Sequence, residues 1–148
     1  MSRRQTTPRQ WFIFLDDADI SLLRRLPRGS GVLVLMPLSP RPMRRLRYVA
    51  KQRSLLVVRE RPRAAARVHN SRELRRALSV GTPLIFLSPL FSTPSHPSWQ
   101  PLPRMKAAAL ACLAGQRLLA LGGMDARKFE RVKRLGFQGW AGISAFRT

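Results

Sequence analysis

Residues 84–97 read LIFLSPLFSTPSHP, and residues 118–125 read LLALGGMD. Each stretch starts as an apolar run typical of a buried strand, ends in small or hydroxyl residues, and leads through a loop into a helix. A third apolar run, GWAGIS, follows at residues 139–144. Backbone N–H groups left free at such loops bind anions, and Gly lets a phosphate approach the backbone closely. The last third of the chain therefore predicts two phosphate-binding loops on consecutive strand–helix units.

The rest of the chain shows the same alternation of apolar strands and helices. The predicted strands are 11–15, 31–36, 54–58, 64–69, 84–87, 118–121 and 140–143, and the predicted helices are 20–26, 40–53, 70–78, 105–114 and 125–135. Seven strands interleaved with helices indicate an α/β fold with a parallel sheet. A complete eight-unit barrel typically has about 250 residues and at least about 200. Three architectures fit this length: a shortened TIM-type (β/α) barrel that lacks about one βα unit, a homo-oligomer that completes the barrel, and an open doubly wound sheet.

The length and composition are those of one domain with a very basic surface. We expect residues 11–148 to form the domain and residues 1–10 to be a flexible basic N-terminus. The formal net charge is +21, and such a field attracts nucleic acid, anionic membrane surfaces and phosphorylated metabolites. Only four of the 28 basic residues are Lys, a bias that a GC-rich coding sequence would also produce. RNA binding stays open, but aromatic residues for base stacking do not interleave with the Arg clusters at 44–47 and 72–76.

The single cysteine and the short apolar runs indicate the cellular compartment of the protein. Cys112 is the single cysteine, which excludes an internal disulfide and suits a reducing cytosol. We expect its thiol to pack as a small apolar group on the helix at 105–114. No run approaches the roughly twenty residues of a membrane span, and the apolar run at 11–15 is too short for a signal peptide. These features favour a cytoplasmic protein with no membrane partner.

A few polar residues stand where chemistry or capping could use them. His69 ends the fourth predicted strand and Ser88 follows the fifth, which makes them the candidate catalytic residues. A capping or packing role is the alternative for His69. The three aspartates that follow the first strand, Asp16, Asp17 and Asp19, could bind Mg²⁺, but we favour Asp19 as a helix cap. With two His and no Cys/His cluster, a zinc site is excluded.

Four motifs carry a resemblance to a known family. They are VHNSREL at 68–74, LSPLFST at 87–93, ALGGM at 120–124 and AGISAF at 141–146. In this order and over residues 66–146 they resemble the thiamine-phosphate synthase/TenI-like family. The resemblance favours the shortened TIM-type barrel among the three architectures. That family joins hydroxymethylpyrimidine diphosphate to thiazole phosphate in thiamine biosynthesis, and its relatives tautomerise the thiazole.

The resemblance implies a site for a phosphorylated ligand. Thr93 and Ser95 would hold one phosphate, and Gly122 and Gly123 would hold another together with the backbone at Ile143 and Ser144. Barrels of this type bind phosphate at these loops. Mg²⁺ is the cofactor that the resemblance suggests, and thiazole phosphate or thiamine phosphate is the ligand.

The chain departs from the family pattern on the side that binds diphosphate and metal. The second strand ends without a charged residue, and the third ends Val58-Arg59-Glu60 where the family has Asn-Asp. The family's fourth strand and its helix are missing after Val58, and Pro89 stands where the tautomerases have His. Three readings follow: a synthase-like transferase, a catalytically inactive phosphate-ligand-binding or regulatory homologue, and a basic RNA-binding protein.

Overall fold

The computed structural model describes residues 7–15, 19–94, 96–115 and 117–146. Strands and helices alternate along the chain. The strands are β1 (Gln10–Phe14), β2 (Gly31–Val34), β3 (Leu56–Arg59), β4 (Ala65–Val68), β5 (Leu84–Leu87), β6 (Leu118–Ala120) and β7 (Gly139–Gly142). The helices are α1 (Ile20–Leu23), α2 (Pro40–Gln52), α3 (Ser71–Val80), α4 (Arg104–Leu113) and α5 (Ala126–Val132), with 3₁₀ turns at Lys133–Leu135 and Ser144–Phe146. All seven predicted strands are present.

The seven strands form one parallel sheet in the order β3-β2-β1-β7-β6-β5-β4. Because β1 pairs with β7, the sheet curls into a nearly closed, shortened TIM-like barrel, which confirms the predicted fold class. The strands β3 and β4 are consecutive in the chain, but they stand at the two ends of this order and do not pair with each other. This open seam lies where the sequence predicts the missing βα unit.

Large apolar side chains fill the inside of the barrel. The interior cluster is Trp11, Ile13, Leu33, Ala65, Leu84, Phe86, Leu119 and Ala141. The ring of Trp11 meets Phe86 edge to face, with ring centroids 5.6 Å apart. A Cβ on Gly31, its partner in the β1–β2 register, would lie 2.3 Å from the Trp11 ring. The absence of a side chain at Gly31 thus makes room for the largest residue of the interior.

Alternate residues of the same strands face outward and are covered by helices. Phe12 and Phe14 of β1 pack with residues of α1 and α2, while β5 and β6 contribute to a second outer cluster beneath α3, α4 and α5. No helix among the described residues is long and apolar enough to cross a membrane.

Side chains cap two of the helices, and the predicted cap of a third is not formed. The side chain of Asn70 accepts a hydrogen bond from the N–H of Glu73, and that of Asp125 accepts one from the N–H of Lys128. Asp19 stands at the N-cap position of α1 but makes no side-chain cap bond. Its carboxylate instead accepts a hydrogen bond from the N–H of Leu15, 3.3 Å away. The prediction that the Asp19 side chain caps this helix is therefore wrong.

Two further features differ from the sequence analysis. Cys112 is exposed rather than packed, because the buried stripe of α4 runs through Ala107, Leu110 and Ala111. The first strand begins at Gln10, one residue before the predicted start. The carbonyl of Arg9 accepts from the N–H of Trp140, 2.8 Å away. The described part of the N-terminal segment is therefore joined to the sheet at β7.

Candidate functional site

A pocket of about 170 Å³ opens at the carboxyl ends of the strands. Loops after β1, β2, β5, β6 and β7 contribute to it, together with the end of β4. Its lining residues are Ile13, Leu15, Leu35, Arg67, His69, Ser88, Pro89, Thr93, His96, Trp99, Leu121, Gly122, Gly123, Met124, Gly142, Ile143 and Ser144. Ligands of parallel α/β barrels bind at this end of the strands.

The loop after β6 is built around two glycines. Gly122 and Gly123 have φ angles of +98° and +59°, a region that other L-residues rarely adopt. A Cβ on Gly122 would lie 2.8 Å from the Cα of Pro89, and one on Gly123 would lie 2.3 Å from the carbonyl oxygen of Ser92. The loops after β5 and β6 thus touch backbone to backbone, and neither position has room for a side chain.

Hydrogen bonds hold this pair of loops in place. The N–H of Leu90 donates to the carbonyl of Leu121 at 3.0 Å, and that of Phe91 donates to Gly122 at 3.1 Å. The ammonium of Lys128 donates to the carbonyl of Gly123 at 2.8 Å. Because the carbonyls of this loop accept bonds from outside the pocket, its geometry is fixed before any ligand arrives.

The end of β7 forms a further wall of the pocket, beside the loops after β5 and β6. Ile143 and Ser144 line the pocket, and Ser144 opens a 3₁₀ turn closed by a bond from the N–H of Phe146 to the carbonyl of Ile143. The Phe146 ring stacks on Trp140, with centroids 5.2 Å apart and planes within 1°. This stack anchors the end of β7 against the outer core.

The structure brings most of the predicted site together. Thr93, Gly122, Gly123, Ile143 and Ser144 all line this single pocket. Ser95 lies outside the described residues, as do Asp16 and Asp17.

The two candidate catalytic residues also line the pocket. The N–H of His69 donates to Glu73 Oε2 at 2.8 Å, and the ring Nδ1 lies 3.1 Å from the same oxygen. His69 therefore belongs to the capping arrangement at the start of α3 as well as to the pocket wall. Ser88 is buried, and its N–H donates to the carbonyl of Val68.

Sequence reasoning missed a guanidinium on the β4 side of the pocket. Arg67 lines the pocket and forms a two-bond ion pair with Glu60, with Nε–Oε2 and Nη2–Oε1 distances of 2.6 and 3.1 Å. The only signal was a single Arg within the apolar run of β4. The Trp99 ring lies beside His69 on this same side of the pocket, with ring centroids 5.5 Å apart, and it stacks on His96 with centroids 3.9 Å apart and planes 8° from parallel. That contact depends on a loop conformation for which the sequence has no periodic pattern.

The fold and the pocket define a (β/α)-barrel protein with its ligand site at the carboxyl ends of the strands. The family model described as thiamine monophosphate synthase (TMP-TENI) matches residues 50–146. The chain therefore belongs to the thiamine monophosphate synthase/TenI family, a family of transferases that binds phosphorylated thiamine precursors.

The solved structures agree on the fold. The thiamine phosphate pyrophosphorylase from Pyrococcus furiosus superposes with a TM-score of 0.74 at 14% identity, over 97% of this chain and 89% of that one. A comparison with curated protein sequences finds no match. At this identity the structural likeness concerns the fold alone.

The described residues do not fit a magnesium site. Enzymes of this family use Mg²⁺, which prefers carboxylate oxygens. Within the described ranges, no group of three or more His, Cys, Asp or Glu residues could hold a metal ion. The carboxylates of Glu60 and Glu73 bond Arg67 and His69 respectively.

Proposed function

We propose that this chain binds thiazole phosphate or thiamine phosphate in the pocket at the carboxyl ends of the strands. The phosphate lies against the backbone of Gly122 and Gly123, with the hydroxyl of Thr93 and the backbone of Ser144 as further donors. One observation carries the proposal. Two glycines with left-handed backbone are held against the neighbouring loop, on the wall of the pocket that also contains the other predicted phosphate residues.

The rest of the pocket suits the uncharged part of such a ligand. Ile13, Leu35 and Leu121 supply an apolar floor, and the stacked rings of His96 and Trp99 stand at the rim. A flat heteroaromatic ring gains from apolar burial and from aromatic contact. The arrangement therefore supports a ligand with a phosphate at one end and a heteroaromatic ring at the other.

Backbone and hydroxyl donors can be removed separately. Ser144→Pro deletes one N–H at a position whose 3₁₀ backbone suits proline, and Ser144→Ala is its control because it keeps that N–H. Thr93→Val deletes the hydroxyl, and Thr93→Ser keeps it. Hydrogen bonds to charged groups contribute about 1.5–3 kcal/mol, so calorimetry should show thiamine phosphate binding about 10- to 100-fold more weakly to Ser144→Pro and Thr93→Val only.

Binding of unphosphorylated thiamine as tight as that of thiamine phosphate would contradict the proposal. Equal affinities for all four variants would contradict the placement of the phosphate.

Catalysis of the family's reaction is the second candidate function. In it a carbon–nitrogen bond forms between the two precursors and diphosphate leaves the pyrimidine. Arg67 and His69 favour it, because they place a cation and a titratable ring on the β4 wall of the pocket. Such groups would orient the second substrate and stabilise the departing negative charge. The uncharged end of β2 favours an inactive binding homologue instead.

Diphosphate release separates these two candidates. The assay supplies both precursors with Mg²⁺ and compares the native protein with Arg67→Gln. Turnover that falls with Arg67→Gln supports the transferase. A protein that binds thiamine phosphate in calorimetry and releases no diphosphate is a binding homologue.

A further inference from the structure

The exposed side of α2 carries an aromatic residue at the centre of a basic surface. At 100° per residue, Tyr48 points directly away from the buried residues Met43, Leu46, Val49 and Ala50. Its side chain is 62% exposed. This ring corrects the expectation that no aromatic residue interleaves with the arginines at 44–47. Arg44 and Arg45 lie one turn before it, and Lys51 and Gln52 one turn after it. We call Arg41, Arg44, Arg45, Tyr48 and Lys51 the α2 basic face.

No carboxylate of the surrounding sequence neutralises this face. Between residues 20 and 59 the chain has ten basic residues and no Asp or Glu. Arg24 and Arg25 follow α1, which packs beside α2, and both are exposed. Arg53, in contrast, turns inward and donates to the carbonyl of Leu26 at 2.8 Å. The exposed surface around Tyr48 is therefore positively charged.

From this geometry we propose that the α2 basic face binds single-stranded RNA. Arginine and lysine side chains contact phosphates, and the exposed ring of Tyr48 stacks on a base. Gln52 Nε2 donates to the Tyr48 hydroxyl at 2.9 Å, which restrains the ring on the helix surface. A membrane suits the face less well, since the apolar side of α2 is already buried in the barrel and nothing is left to insert.

The proposed RNA surface is independent of the phosphate pocket. The described residues that line the pocket come from the strands and from the loops at their carboxyl ends, and none belongs to α2. Thiamine phosphate binding can therefore fail or succeed without any bearing on this proposal.

The helix α3 offers a matched control. It carries three exposed arginines, Arg72, Arg75 and Arg76, and no aromatic residue. Changing these three to Gln lowers the net charge by three, as does changing Arg44, Arg45 and Lys51 to Gln. Only the second change removes charge next to Tyr48.

The test measures binding of a fluorescent oligouridine by anisotropy over a range of salt concentrations. Each phosphate contact contributes about 0.7 to the slope of log K against log salt for single strands. The α2 triple variant should therefore lose about 2 from the slope, and the α3 triple variant less than about 1. Tyr48→Ala should bind about 5- to 100-fold more weakly, while Tyr48→Phe, which keeps the ring, should bind within about twofold of the native protein.

Four outcomes would overturn the proposal. The first is the absence of binding at low salt. The second is equal loss in the two triple variants, which would indicate diffuse charge attraction. The third is unchanged affinity of Tyr48→Ala, which would show that the ring does not stack on a base. The fourth is binding to a duplex or to anionic vesicles as tight as binding to oligouridine, because a stacking site requires unpaired bases.

Discussion

Replacing Gly123 by Ala tests whether the two loops of the proposed phosphate site are in backbone contact. The new Cβ would lie 2.3 Å from the carbonyl oxygen of Ser92, so the backbone of one loop has to move. The φ angle at Gly123 is +59°, and that at Gly115 is +62°. A Cβ on Gly115 meets nothing within 4 Å. Gly115→Ala is therefore a control with the same backbone strain and no contact.

The expected loss of stability has two parts. A non-glycine residue in the left-handed region is destabilised by about 1–2 kcal/mol, part of which is offset by the lower entropy of the unfolded chain. Both variants share this part. Overpacking adds about 1–3 kcal/mol at Gly123 alone. For a protein of this size, 1 kcal/mol corresponds to about 2–4 °C in Tm, so Gly123→Ala should melt about 2–12 °C below Gly115→Ala.

Thermal denaturation with and without thiamine phosphate provides both readouts. Gly115→Ala should keep the stabilisation that the ligand confers, since it lies outside the pocket lining. Gly123→Ala should lose most of that stabilisation, because the loop that we propose holds the phosphate would be displaced. Equal Tm values for the two variants would refute the backbone contact. A full ligand response in Gly123→Ala would refute the role of this loop in phosphate binding.

Three further substitutions or reactions test other parts of the structure. Asn70→Ala should lower stability by about 1 kcal/mol in urea denaturation through loss of its cap on α3, whereas Asn70→Ser should stay close to the native value; equal losses would show that the cap is not formed. Gly31→Ala should lower stability by about 1–3 kcal/mol or more, because its Cβ would overlap the Trp11 ring, and a native-like urea midpoint would contradict the interior packing. Cys112 should react with a thiol reagent in the native protein as fast as an exposed thiol does, and protection until unfolding would show that it is buried.

The sequence predicted the strands and the site residues for identifiable reasons. A strand buried on both faces is a short apolar run, so β1, β2 and β5 stand out from the residues around them. The carboxyl ends of parallel strands meet at one end of a barrel, which brings the loops after β5, β6 and β7 together wherever the chain order is right. Thr93 and Gly122 therefore reach one pocket, as the motif order predicted, while their role in binding stays a prediction.

Two features that the sequence did not reveal depend on how the chain turns between consecutive elements. The Arg67–Glu60 pair forms between β4 and the residue after β3, and the direction of Asp19 depends on where β1 ends. Cys112 is different, because the signal was present. Apolar residues of α4 at Ala107, Leu110 and Ala111 follow helical spacing, and Cys112 falls outside that stripe.

The open seam raises the question of what holds the barrel together. Closed barrels avoid unpaired strand edges, and here β3 and β4 keep theirs. Two contacts reach toward the seam: a single antiparallel bridge between Arg61 and Ala65, and the Glu60–Arg67 ion pair. The side chains of this pair are 30% and 41% exposed, and a pair of this kind contributes about 0–1 kcal/mol.

The seam contacts are therefore too weak to close the barrel. The interior cluster, in contrast, contains side chains from β1, β2, β4, β5, β6 and β7, and most of them are fully buried. The Trp11–Phe86 contact joins β1 to β5 across the inside, and burial of one such side chain contributes more than the ion pair. Side-chain packing inside the barrel therefore holds the strands together where the hydrogen bonds of the missing unit are absent. The same packing holds β5, β6 and β7, whose loops form most of the pocket, in place beside the edge strand β4.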